Sequence, residues 1–214
     1  MRQTVVFDFD GTVADTLPIC YYAFQQVFRA FDGRQLQEAE IQRMFGPSEA
    51  GIIRQNLANQ AQVADAISQY YRHYEEKHKD YVPVFAPIRE LLRDMKGVGF
   101  HIAIWTGKGR QSLDISLREL ALNDLFDQIV TGDDVIFPKP HPEGLHFIMQ
   151  QLKCRSEDVT MVGDSDADIE AGNRANVRSV RVEWFPHASP REFRATPDHV
   201  FQEVDQLRRL LGLD

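Results

Sequence analysis

Val5-Val6-Phe7-Asp8-Phe9-Asp10-Gly11-Thr12 is an apolar run that breaks into a glycine turn with two carboxylates placed two residues apart. Strand side chains alternate between faces, so Asp8 and Asp10 leave the strand end on the same side, and Gly11 lets the backbone turn sharply. Carboxylates held that close repel unless a cation or a proton lies between them. A calcium loop also begins Asp-x-Asp-Gly, but it needs a third oxygen ligand and a glutamate at its twelfth position. Thr12 and Ile19 occupy those places, so the calcium reading fails.

Outward from this turn, β-branched and aromatic runs recur at 4–8, 100–105, 128–131, 159–163 and 178–182. Helical patterns lie between or after them at 87–97, 110–121, 142–152, 167–175 and 202–211. The alternation predicts an α/β fold, a Rossmann-like parallel sheet in a three-layer α/β/α sandwich. Residues 17–80 interrupt it with helices near 17–31, 37–45, 49–59 and 61–79, the pattern of an inserted all-helical cap. We therefore expect a discontinuous core over 1–14 and 84–214 and a cap over 15–83. The return segment Tyr81-Val82-Pro83-Val84-Phe85-Ala86-Pro87 favours extended backbone and would form one of two hinges.

The 214 residues carry a net charge of −8, which argues against nucleic acid as partner. No apolar stretch approaches the roughly 18 residues of a membrane span. Cys20 and Cys154 are the only cysteines and lie far apart, which fits a reducing, cytoplasmic setting. A monomer is expected, with a dimer as the alternative.

Three further apolar runs or loops end in complementary polar groups. His101-Ile102-Ala103-Ile104-Trp105 leads into Thr106-Gly107-Lys108, a hydroxyl and open backbone N–H groups suited to phosphate oxygens. Lys139 stands among prolines in Phe137-Pro138-Lys139-Pro140-His141-Pro142. Val159–Gly163 leads into Asp164-Ser165-Asp166-Ala167-Asp168, opening a helix. Parallel sheets place ligand sites at these carboxyl ends.

With these four motifs in order, the chain resembles the haloacid dehalogenase-like superfamily, in the branch of phosphoglycolate phosphatase and β-phosphoglucomutase with a helical cap. The resemblance implies a Mg²⁺-dependent phosphatase acting on a small phosphorylated metabolite through an aspartyl-phosphate. It makes Asp8 the nucleophile and Asp10 the general acid and base. Asp8, the backbone carbonyl of Asp10, and Asp164 would hold Mg²⁺. Thr106, Gly107 and Lys139 would bind the phosphoryl group, and Asp168 would orient Lys139 or a metal-bound water. The chain departs from many relatives at Gly107, which offers only its N–H.

The rival readings are a sugar phosphomutase and a non-catalytic ligand-binding protein on the same fold. A dehalogenase is disfavoured because that branch replaces the second aspartate. Phosphoglycolate, a sugar phosphate, a nucleotide and pyrophosphate all stay open as substrates. Outside the motifs, Arg43 in the cap turn Arg43-Met44-Phe45-Gly46-Pro47-Ser48-Glu49 is a candidate for a substrate anion. Asp15 reads as an N-cap, Asp166 as a first-turn acid, and His73 and His78 as surface residues. Lys108 is balanced between facing substrate and facing solvent. The aromatics Phe24, Phe28, Phe31, Tyr70, Tyr71 and Tyr74 read as cap core.

Overall fold

A computed structural model describes residues 2–186 and 194–213; the part of the expected core at 187–193 lies outside the described residues. Six parallel strands form one sheet in the order β3-β2-β1-β4-β5-β6. They are β1 (Thr4–Phe7), β2 (His101–Trp105), β3 (Gln128–Val130), β4 (Val159–Gly163), β5 (Arg178–Val182) and β6 (His199–Phe201). The five expected strands are present within one residue at each end, and β6 is an addition at the edge. Phe7 lies opposite both Ile104 and Val162. β1 is thus central, and the chain's direction of winding reverses around it. The residues following β1, β2 and β4 converge at this reversal, where doubly wound sheets bind ligands.

Alternation along the strands builds the two faces. Val5 and Phe7 join Ile102, Ile104, Val162 and Val180 beneath α5 (Ala86–Gly97), α6 (Arg110–Glu119) and α9 (Val204–Leu210). Val6, Ala103, Trp105 and Met161 face the other way, against α7 (Glu143–Leu152) and α8 (Asp166–Arg174). Burial of both faces explains why the central strands are near-continuous hydrophobic runs.

Between β1 and α5 the chain is helical. α1 (Leu17–Asp32) packs along α4 (Val63–Tyr81), with the short α2 (Glu38–Gln42) and α3 (Glu49–Asn56) beside them. The expected aromatic core is present, with the Phe24 and Tyr70 rings 4.6 Å apart and Tyr74 6.0 Å beyond; Phe31 is only half-buried. Two expectations need correcting. Thr16, not Asp15, occupies the N-cap position of α1. His78 is fully buried, and its Nε2 lies 2.9 Å from the Ser116 hydroxyl of α6, which Tyr74 Oη also meets at 2.8 Å. The charged residues flanking His78 face water while one turn-face of α4 seals against α6. Trp184, after β5, donates its indole N–H to the Thr12 carbonyl at 2.8 Å and ties the sheet edge to the turn behind Asp10.

Candidate active site

The end of β1 delivers Asp8 with its backbone already fixed, its N–H donating to the Val162 carbonyl of β4 at 2.8 Å. The tight turn that follows needs two glycine-dependent approaches. Gly11 has φ +77°, and a Cβ there would stand 2.6 Å from an Asp164 carboxylate oxygen. A Cβ on Gly163 would stand 2.3 Å from the Asp168 Cγ. Glycine at both positions lets the carboxylates of the β4 motif press against the sheet end.

Lys139 is the hub of the buried charges. Its Nζ donates to Asp168 Oδ1 at 2.5 Å, Asp8 Oδ1 at 2.8 Å and the Trp105 carbonyl at 3.0 Å. Asp168 Oδ2 is held in turn by the Ser165 N–H at 3.0 Å and the Ser165 hydroxyl at 2.6 Å. The helix expected over 167–175 begins at Asp166, with Ser165 as N-cap and Asp168 closing a capping box. Both oxygens of Asp168 are therefore engaged in placing Lys139 and the helix end. Burial, with Asp168 and Asp10 adding to it and Lys139 opposing, pushes the Asp8 carboxyl up to about 7. Burial disfavours the Lys139 charge, but Asp168 and Asp8 outweigh it and raise the ammonium above the usual lysine range.

Asp8, Asp164 and Asp168 are all buried, with ligand-capable oxygens within 4.8 Å of one another. A set of hard carboxylate oxygens at this spacing fits a small divalent cation, Mg²⁺ above softer metals. The Asp10 side chain is not in that group and is engaged elsewhere. Asp10 Oδ1 accepts from the Thr16 hydroxyl and from Lys108 Nζ at 3.0 Å.

Of the two alternatives for Lys108, the structure excludes solvent and places the side chain in the wall of the site cavity. Its side chain has no exposure, and its Nζ contacts Asp10, Glu49 at 3.3 Å and the Tyr74 ring at 4.7 Å. Burial opposes the charge, yet Asp10 and Glu49 raise the ammonium well above its ordinary value. Glu49, at the start of α3, also accepts the Gly109 N–H at 2.7 Å and the Ser112 hydroxyl. This carboxylate joins the helical insert to the N-terminus of α6. Neither Glu49 nor Ser112 is among the expected site residues, and their contacts join segments about 60 residues apart.

A cavity of about 220 Å³ opens between the sheet end and the helices, lined by Asp8, Asp10, Thr106, Gly107, Lys139 and Asp164 on one side. Thr106 is buried, and its Oγ1 accepts the Lys108 N–H at 3.2 Å. The structure brings together every expected site residue except Arg43, which is exposed and does not line the cavity. Arg43 is the C-cap of α2, and its neighbour Gln42, also exposed, is the one at the rim of the cavity.

Comparison with known proteins agrees with this geometry. The family model for haloacid dehalogenase-like hydrolases matches residues 5–182. The pyrophosphatase PpaX of Bacillus mycoides (strain KBAB4) is 29% identical over 210 residues, covering 98% of this chain and 97% of that protein. Among solved structures, CbbY from Rhodobacter sphaeroides in complex with xylulose 1,5-bisphosphate superposes with TM-score 0.86 over all of both chains at 22% identity. A predicted phosphoglycolate phosphatase from Haemophilus somnus 129pt gives TM-score 0.85 over 98% of each chain at 18% identity. These two show a shared fold. With the family model spanning most of its length and the four motifs meeting in one cavity, the chain belongs to the haloacid dehalogenase-like hydrolase family of enzymes.

Proposed function

We propose that the protein is a Mg²⁺-dependent phosphatase that hydrolyses a small phosphomonoester through a phosphorylated Asp8. The observation that carries the reading is the Asp8–Lys139–Asp168 chain of contacts beside a second carboxylate, Asp10, on the same side of the strand end. Mg²⁺, held by Asp8, Asp164 and the Asp10 carbonyl, would neutralise the carboxylates and the phosphoryl oxygens it meets.

Asp8 attacks phosphorus as the ester P–O bond breaks, and Asp10 gives its proton to the departing alkoxide oxygen. Thr106, the Gly107 N–H and Lys139 hold the three peripheral oxygens, whose charge dominates a loose transition state. Water then attacks the same phosphorus, its proton passes to Asp10, and cleavage of the acyl-phosphate frees Asp8 and phosphate. The helical cap excludes bulk water while the acyl-phosphate exists.

A sugar phosphomutase would have to hold a second phosphate in the cap. Among the described residues no lysine or arginine of the helical insert lines the cavity, which favours hydrolysis. The test is phosphate release from p-nitrophenyl phosphate by the wild type and Asp8→Asn, with Mg²⁺ or with EDTA. Metal-dependent release that the substitution abolishes is expected; release by Asp8→Asn at the wild-type rate would refute the assignment.

A further inference from the structure

We infer that this phosphatase selects esters whose leaving group is small, uncharged and largely apolar, and that it discriminates against a second anionic group on the substrate. The inference rests on the phosphatase reading above and names its substrate class. Its basis is the charge distribution around the cavity. Four carboxylates line it, those of Asp8, Asp10, Glu49 and Asp164, against the two ammonium groups of Lys108 and Lys139. Both ammonium groups are already engaged, Lys139 by Asp8 and Asp168 and Lys108 by Asp10 and Glu49. With Asp10 holding the proton that it gives to the leaving group, a divalent ion and the transferring phosphoryl group together would leave no excess of positive charge. Among the described residues that line the cavity, a carboxylate or second phosphate on the leaving group meets no cation that is not already paired.

The side of the cavity that would receive the leaving group is formed by Leu17, Phe24, Phe45, Pro47 and Ile52, with Gln42 as its uncharged polar group. The charged side chain that the helical insert places there is Glu49, an acid. Already satisfied by Lys108, the Gly109 N–H and Ser112, it offers an anion no attraction, and withholding a partner from the wrong ligand is a source of specificity. The volume of about 220 Å³ lies below the ~300–1,000 Å³ typical of pockets for drug-sized ligands. It suits a phosphoryl group carrying a few further heavy atoms.

The test compares kcat/KM, with Mg²⁺, for 2-phosphoglycolate and for its amide, which replaces the carboxylate by a neutral group of similar size. The wild type is expected to favour the amide at least about tenfold, as a carboxylate moved from water to an apolar wall without a partner is penalised. Phe45→Arg places a cation on the cap side at a residue that is 38% exposed, and it should move the ratio toward the carboxylate by at least about fivefold. A wild type that turns over the carboxylate as well as the amide or better overturns the inference while leaving the phosphatase reading intact. If Arg43→Ala then removes that preference, the exposed arginine is the anion-binding group. Absence of release from every ester, p-nitrophenyl phosphate included, overturns the phosphatase reading and this inference with it.

Discussion

Lys139 Nζ lies 2.5 Å from Asp168 Oδ1, so the ammonium that faces Asp8 is fixed by a carboxylate that is itself held by Ser165. Asp168→Asn keeps an acceptor for the Ser165 N–H but removes the charge that raises Lys139. We expect kcat/KM for phosphate release to fall roughly 10- to 100-fold, the usual loss when an outer residue stops orienting a site group. The melting temperature should change little by comparison. An unchanged kcat/KM would remove Asp168 from the account.

The two glycines that admit the carboxylates can be tested through activity and stability together. Gly163→Ala puts a methyl group where Asp168 now lies, 2.3 Å from its Cγ. Overpacking of this kind costs roughly 1–3 kcal/mol, and it moves Asp168 away from Lys139. Thermal melting and phosphate release measured on one preparation should show a modest loss of stability with a nearly complete loss of activity. A control at Gly97, where a Cβ meets nothing within 4 Å, should leave activity intact.

Lys108 is buried between Asp10 and Glu49, and removing one partner of a buried ion pair leaves an uncompensated charge. Lys108→Met should therefore destabilise by roughly 3–5 kcal/mol in urea unfolding. Adding Glu49→Gln removes one of the stranded carboxylates, so the double variant should be less destabilised than the two single losses together. Additive losses would mean that Glu49 and Lys108 do not act as a pair.

His78 links stability to pH. Burial holds it neutral and pulls its pKa down to about 4 from 6.5, Lys108, Arg118 and Lys79 add to the shift, and Glu119 opposes it. Between those values the unfolded chain binds the extra proton and the folded chain does not, so stability rises with pH. His78 contributes fully above about 6.5 and loses that contribution as pH falls toward 4, by up to roughly 3 kcal/mol for a shift of this size. The urea-unfolding free energy of the wild type should decline over this window, and His78→Gln should flatten the decline.

The sheet and the four motifs were legible because central parallel strands are written as continuous apolar runs and their polar terminators point at one place. β6 was not legible. His199-Val200-Phe201 is three residues long at the sheet edge, and its central Val200 is exposed, so no buried apolar run marks it. Lys108, Glu49 and Ser112 were beyond reach for another reason. Their contacts join the helical insert to the core across about 60 residues of chain, and nothing in the local pattern around Glu49 distinguishes it from a solvated first-turn acid. His78 misled because its neighbours Glu76, Lys77, Lys79 and Asp80 are charged, while the packing of α4 on α6 decided its burial. Arg43 misled in the opposite sense, since a loop beside a site offers several directions and the sequence does not choose among them.

The central claim is that Asp8 carries the phosphoryl group between substrate and water. It is tested most directly by acid-quenching the enzyme during turnover with Mg²⁺ and a reactive aryl phosphate, then locating the adduct by peptide mass spectrometry. The account predicts a phosphoryl group on the peptide containing Asp8, at that residue, and its absence from Asp8→Asn. Steady turnover with no acyl-phosphate at any quench time, or with the adduct on another residue, would contradict it.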